Sequence, residues 1–132
     1  MEIERIFENV KSIITESCEV PVEEIKLEHT LFDELAIDSI DLVDILFEME
    51  SEYDISLKVS DLEKHAVRTL GADVPYEIDG VITKEGLSAL KEFMTEIPTE
   101  KFRSGLTVTE LIKLFTVESL CKLTQHKILE KN

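Results

Sequence analysis

Ser39 stands between Asp38 and the pair Ile40-Asp41, with Asp44 and Glu48 following at helical spacing. Asp38 and Asp41 are placed as an N-cap and the third residue of a helix, ahead of an apolar periodic run. Ser39 therefore falls at the head of that helix, where unpaired backbone amides and the positive end of the dipole favour an anion. A phosphodiester on the serine oxygen suits such a place. Hydrolytic chemistry does not, because no Gly-x-Ser-x-Gly turn surrounds Ser39 and the carboxylates of Asp38 and Asp41 oppose a developing alkoxide. His29, the nearest imidazole in sequence, lies in a loop with no sign of a triad. The competing role is that of a plain helix-capping serine.

The helix that opens at Ser39 is apolar on two sides. At about 100° per residue, Leu42, Ile45, Leu46, Met49 and Tyr53 form one stripe, the natural core face. Ile40, Val43 and Phe47 share a roughly opposite stripe, flanked by Asp41, Asp44 and Glu48. That second stripe either packs against another helix or serves as a docking surface, where apolar contact area combines with carboxylates that steer a basic partner.

Around this helix the chain reads as a series of helices. Ile6, Phe7, Val10, Ile13 and Ile14 give an amphipathic first helix from Ile3 to near Ser17, and Pro21 opens a long loop pinned by buried side chains up to Asp38. The second helix is predicted from about Ser39 to Tyr53. A third begins at Ser60, with Ser60 and Glu63 as a capping box and Gly71 as terminator. Asp73 to Gly80 is a connection; Thr83 opens a helix through Leu87, Leu90 and Phe93, closed by Pro98. Thr107 and Glu110 form a further capping box, and Thr116 starts a last helix whose Lys127 and Lys131 suit its negative end.

With 132 residues, scarce Gly, Pro and aromatics and abundant Glu, Leu, Ile and Lys, an all-α fold in a single domain spanning residues 1–132 is expected. The formal net charge of −15, from 29 acidic against 14 basic residues, would repel a phosphate backbone, so nucleic acid is not an expected partner. Solubility alone would also account for such acidity. The N-terminal stretch carries charges among its apolar residues, so neither a signal peptide nor an integral membrane segment is expected, and the protein is expected in the cytoplasm. Cys18 and Cys121 are expected as free core thiols, and no metal site is predicted: Glu77, Asp79 and Glu85 lack the alternating ligands of a calcium loop, and His65 and His126 stand alone.

The run Leu31-Phe32-Asp33-Glu34-Leu35-Ala36-Ile37-Asp38-Ser39-Ile40-Asp41 resembles the attachment motif of the acyl and peptidyl carrier family, in which an Asp-Ser-Leu core opens the second helix. The resemblance continues through Pro21-Val22-Glu23-Glu24-Ile25 upstream and Glu50-Ser51-Glu52-Tyr53-Asp54-Ile55-Ser56-Leu57 downstream, and resumes at Leu114-Phe115-Thr116-Val117-Glu118-Ser119-Leu120. Ala36 departs from it, standing where the family usually has Gly; a left-handed backbone there would strain the loop. Ile78 to Glu85 resembles a segment of the specialised carriers of very long acyl chains for lipid A.

The resemblance implies an acyl-carrier-like helical bundle with a core of residues 1–57 and 107–129, and a helical insert of about two helices at 58–106. It implies a non-enzymatic acyl carrier whose Ser39 takes a covalent 4′-phosphopantetheine from coenzyme A through a phosphopantetheinyl transferase, with Asp38 beside it. The arm's thiol would hold an acyl group for fatty acid, lipid A or secondary-metabolite biosynthesis. Ile40, Asp41, Val43, Asp44, Phe47 and Glu48 would meet acyl-loading and acyl-transfer enzymes with basic docking surfaces, and a monomer is expected. The alternatives are an aminoacyl or peptidyl carrier, and a carrier-like structural or regulatory subunit with the second helix as a permanent interface.

Overall fold

The computed structural model describes residues 2–58, 61, 64, 70 and 73–131. Helix α1 (Ile3–Cys18) buries Ile6, Val10 and Ile14 completely along the stripe read from the sequence. It stops where Glu19 turns left-handed (φ 58°) and donates its amide to the Thr15 carbonyl at 3.0 Å. Pro21 then precedes a 3₁₀ turn at Val22–Glu24, and the chain runs to Asp38 held by buried Ile25, Leu31 and Ile37.

Helix α2 (Ser39–Tyr53) has the predicted bounds and buries Leu42, Ile45, Leu46 and Met49, while Tyr53 is half-buried and its hydroxyl accepts from the Asn9 side-chain amide of α1. Most of the helix predicted from Ser60 to Gly71, with His65 in it, lies outside the described residues; of that stretch Asp61, Lys64 and Leu70 are described. Asp61 itself is buried; its carboxylate accepts the Lys58 amide at 2.8 Å and lies 3.6 Å from the Lys127 ammonium.

The stretch from Asp73 to Gly80, expected only as a connection, folds into half of a hairpin. Strands β1 (Glu77–Ile78) and β2 (Val81–Ile82) are antiparallel, with Ile78 opposite Val81. The turn residues Asp79 and Gly80 both have positive φ, 52° and 84°, the twist that suits a two-residue hairpin turn. The Ile82 amide donates to the Leu106 carbonyl and the Val108 amide to the Gly80 carbonyl, so the hairpin is laced to the segment that follows.

Helix α3 (Lys84–Phe93) is capped by Thr83, whose hydroxyl accepts the Gly86 amide at 3.0 Å, and buries Leu87, Ala89 and Leu90. It ends before Pro98, which instead opens a 3₁₀ turn at Thr99–Lys101. Helix α4 (Val108–Ile112) is a single short turn and a half with both halves of the Thr107–Glu110 capping box formed. Helix α5 (Val117–Lys131) returns through the core and packs, with α2, against α1.

The buried side chains of α1, α2, α3 and α5 belong to one continuous apolar cluster. Three lysines of α5 fasten separate parts of the chain to it: Lys122 to Glu96 at 2.8 Å, Lys127 to Asp61, and Lys131 to Asp54 at 3.3 Å. The fold is mostly helical, and its only sheet among the described residues is the two-residue hairpin. Among those residues no helix is long and apolar enough to cross a membrane.

Candidate functional site

Ser39 is the first residue of α2 and is exposed. The cap is Asp38, whose carboxylate accepts the Asp41 amide at 2.8 Å; the Leu42 amide goes to the Asp38 carbonyl at 3.0 Å. The Ser39 hydroxyl caps nothing, and neither it nor the amides of Ser39 and Ile40 have a partner among the described residues. The arrangement leaves an exposed serine and two unpaired amides at the positive end of a 15-residue helix.

A loop closed by backbone bonds delivers Ser39 to that position. The Thr30 amide donates to the Glu34 carboxylate and the Glu34 amide to the Thr30 hydroxyl, both at 3.0 Å. The Leu35 amide donates to the Thr30 carbonyl, and the Ile37 amide to the Leu31 carbonyl at 2.9 Å. The Leu31 amide in turn donates to the Phe115 carbonyl at 3.0 Å, and Thr30 pairs with Thr116 in an isolated bridge, so the loop hangs on the start of α5. Within it Ala36 does adopt the left-handed conformation, at φ 55°.

The second stripe of α2 faces outward. Ile40, Val43 and Phe47 are 75%, 60% and 64% exposed, so these residues pack against no helix of this chain among the described residues. Asp44 and Glu48 are exposed and Asp41 half-buried beside them. No Lys or Arg falls between Lys26 and Lys58, so every charged side chain that α2 itself contributes to this face is acidic. The field is felt by Cys18 at the end of α1: burial first, then the carboxylates of Asp41, Asp38 and Asp44, push its thiol above the ordinary range. Val43 and Phe47 line a largely apolar groove of about 240 Å³ together with Leu46, Glu50, Leu57 and Lys58.

The other groups weighed from sequence lie elsewhere. The His29 ring accepts the Lys26 amide through Nδ1 at 3.2 Å, and His126 sits 2.8 Å from Glu130 along α5. Cys121 is wholly buried, which pushes its thiol up to about 12, and both cysteines are free. Among the described residues no three His, Cys, Asp or Glu side chains are grouped to hold a metal ion.

Sequence reasoning missed the residues that hold the loop before α2. Thr30 and Glu34 carry the signature of a reciprocal cap, one residue wider than the usual spacing. Leu31, Phe115 and Thr116 act through backbone groups, which leave no side-chain pattern to read.

The family model described as the phosphopantetheine attachment site matches residues 8–73, a span that contains the whole of α2 and the loop before it. The acyl carrier protein of Thermotoga maritima is 42% identical to this chain over 73 residues, which is 55% of this chain and 88% of that protein. The acyl carrier protein of Clostridium acetobutylicum is 37% identical over 71 residues, 54% of this chain and 90% of that protein.

Proposed function

The chain belongs to the acyl carrier protein family, whose members are carriers rather than enzymes and bear a covalent 4′-phosphopantetheine, and from that premise we propose that Ser39 is the residue that carries the arm. The observation that carries the reading is the exposed Ser39 hydroxyl, relieved of capping duty by Asp38, above the free amides of Ser39 and Ile40. A phosphodiester there faces the positive end of α2, so the residues present fit the group. When bound, the arm supplies a thiol that holds an acyl group as a thioester.

The chain's own part is to orient and to be recognised. Ile40, Val43 and Phe47 offer contact area, and Asp38, Asp41, Asp44 and Glu48 select partners with basic docking surfaces: a phosphopantetheinyl transferase, then acyl-loading and acyl-transfer enzymes. The groove lined by Val43, Phe47 and Leu57 offers an apolar shelter for an acyl chain, each methylene withdrawn from water being worth about 0.8 kcal/mol. The acyl group serves fatty acid, lipid A or secondary-metabolite biosynthesis. Ile78 to Glu85, whose pattern resembles lipid A carriers, also builds the hairpin turn and the Thr83 cap, and that duty accounts for its residue types without naming a pathway.

The reading takes residues 1–132 as one monomeric, cytoplasmic domain, with a carrier core at 1–57 and 107–129 and an insert at 58–106. The continuous apolar cluster supports a single unit. The test is incubation of the full chain and Ser39→Ala with coenzyme A and a broad-specificity phosphopantetheinyl transferase, followed by intact mass. A gain of one phosphopantetheine on wild type alone is expected. A folded wild type that gains nothing overturns the assignment of Ser39 and favours a permanent interaction subunit, whereas a variant that gains as much moves the attachment to another residue.

A further inference from the structure

Glu96 lies in the connection after α3, far in sequence from Ser39, yet hydrogen bonds joined through short backbone links connect it to the loop that precedes Ser39. Its side chain is only 3% exposed; one oxygen takes the Lys122 ammonium at 2.8 Å and the other takes the Ser119 hydroxyl at 2.6 Å. A carboxylate only accepts, so the Ser119 proton must point at Glu96, and the Ser119 oxygen is left to accept. It accepts the Thr116 amide at 3.1 Å and lies 3.2 Å from the Thr116 hydroxyl, while the Ser119 amide donates back to Thr116 Oγ1 at 3.2 Å. Thr116 and Ser119 are both buried, so water does not substitute for these bonds.

Thr116 is also the residue that pairs with Thr30, next to the Leu31–Phe115 bond that suspends the attachment loop. Leu31 then holds Ile37, the residue before the Asp38-Ser39 pair. The carboxylate of Glu96 thus fixes the hydroxyl directions of the cap that opens α5, and that cap fixes the strand on which the loop hangs.

We propose that Glu96 is a positioning residue for modification of Ser39, through which the segment after α3 holds the attachment loop in the form that a transferase recognises; this rests on Ser39 being the attachment residue. Loss of the carboxylate frees the Ser119 hydroxyl to turn and leaves the Thr116 end of the relay with an alternative arrangement. The competent loop conformation then becomes a fraction of the ensemble, and apparent affinity falls by that fraction while the chemistry, once the complex forms, is unaltered.

The experiment measures KM and kcat for phosphopantetheine transfer to wild type, Glu96→Gln and Ser119→Ala, with amide hydrogen exchange at Leu31 and Ile37. Asn9→Ala, which removes the α1–α2 bond to Tyr53, is the control for general loss of stability. Both test variants are expected to raise KM about 5-fold with kcat unchanged, and to speed exchange at Leu31 and Ile37, whereas the control does neither. Unchanged KM and exchange in both test variants, or a control that raises KM equally, overturns the proposal. If wild type takes no arm at all, the assignment of Ser39 fails instead, and exchange at Leu31 and Ile37 still decides whether Glu96 holds the loop.

Discussion

The Asp38 carboxylate receives the Asp41 amide at 2.8 Å, so the residue before Ser39 caps α2, and it also belongs to the acidic face proposed above as the docking surface. Two substitutions separate these duties. Asp38→Ala removes cap and charge and is expected to lower unfolding free energy by about 1 kcal/mol; Asp38→Asn keeps a good cap and stays within a few tenths of wild type, that is, under about 0.5 kcal/mol. Urea titration checks both values. If the charge is read by the transferase, arm transfer slows in the Asn variant as well, and a wild-type rate there would reduce Asp38 to its capping role.

Ala36 stands at φ 55°, three residues before Ser39. A left-handed non-glycine residue costs roughly 1–2 kcal/mol. Glycine relieves that strain but adds about 0.4–1 kcal/mol of unfolded-chain entropy to be lost. Ala36→Gly is therefore expected to stabilise the protein by about 0.5–1 kcal/mol, read as a higher urea midpoint with an unchanged slope. A lower midpoint would mean that the alanine methyl makes compensating contacts.

What could be read from the sequence divides along a physical line. Helix α2, its cap and its two apolar faces follow from side-chain types at fixed spacing, and Leu42, Ile45 and Phe47 take the sides that the period assigns them. The strain at Ala36 was legible as a condition and needed the backbone to settle it. The hairpin at Asp79-Gly80 had a signal in that dipeptide, but strands of two residues are too short to show alternation. The relay from Glu96 to Leu31 had none, since it joins residues distant in sequence, partly through backbone groups.

Gly86 has no room for a side chain. A Cβ there would lie 2.5 Å from the Tyr76 carbonyl oxygen and 2.9 Å from Ile82 Cγ2, which is how closely α3 approaches the hairpin. The carbonyl also accepts the Thr83 amide at 2.9 Å, so it is not free to withdraw. Although alanine is the better helix former, Gly86→Ala is expected to destabilise by roughly 1–3 kcal/mol through overpacking. Chemical denaturation would show this directly, and a gain in stability would mean that the hairpin shifts at little cost.

Glu110 supplies the pH dependence that is easiest to isolate. The Thr107 amide, then its hydroxyl, then Arg103 hold its carboxyl below the ordinary value near 4.5, and the bonds measure 3.1, 3.1 and 2.9 Å. Because the folded value is the lower one, the folded state binds fewer protons through this window, and the stabilisation is present above the unfolded value near 4.5. It is lost as pH falls through the depressed folded value. Wild type and Glu110→Gln should differ in urea midpoint at neutral pH and converge in acid. Subtracting the two profiles removes the contribution of the other carboxylates, which both proteins share. A difference that persisted undiminished in acid would show that the capping box is held by shape and neutral hydrogen bonds, with no contribution from the charge of Glu110.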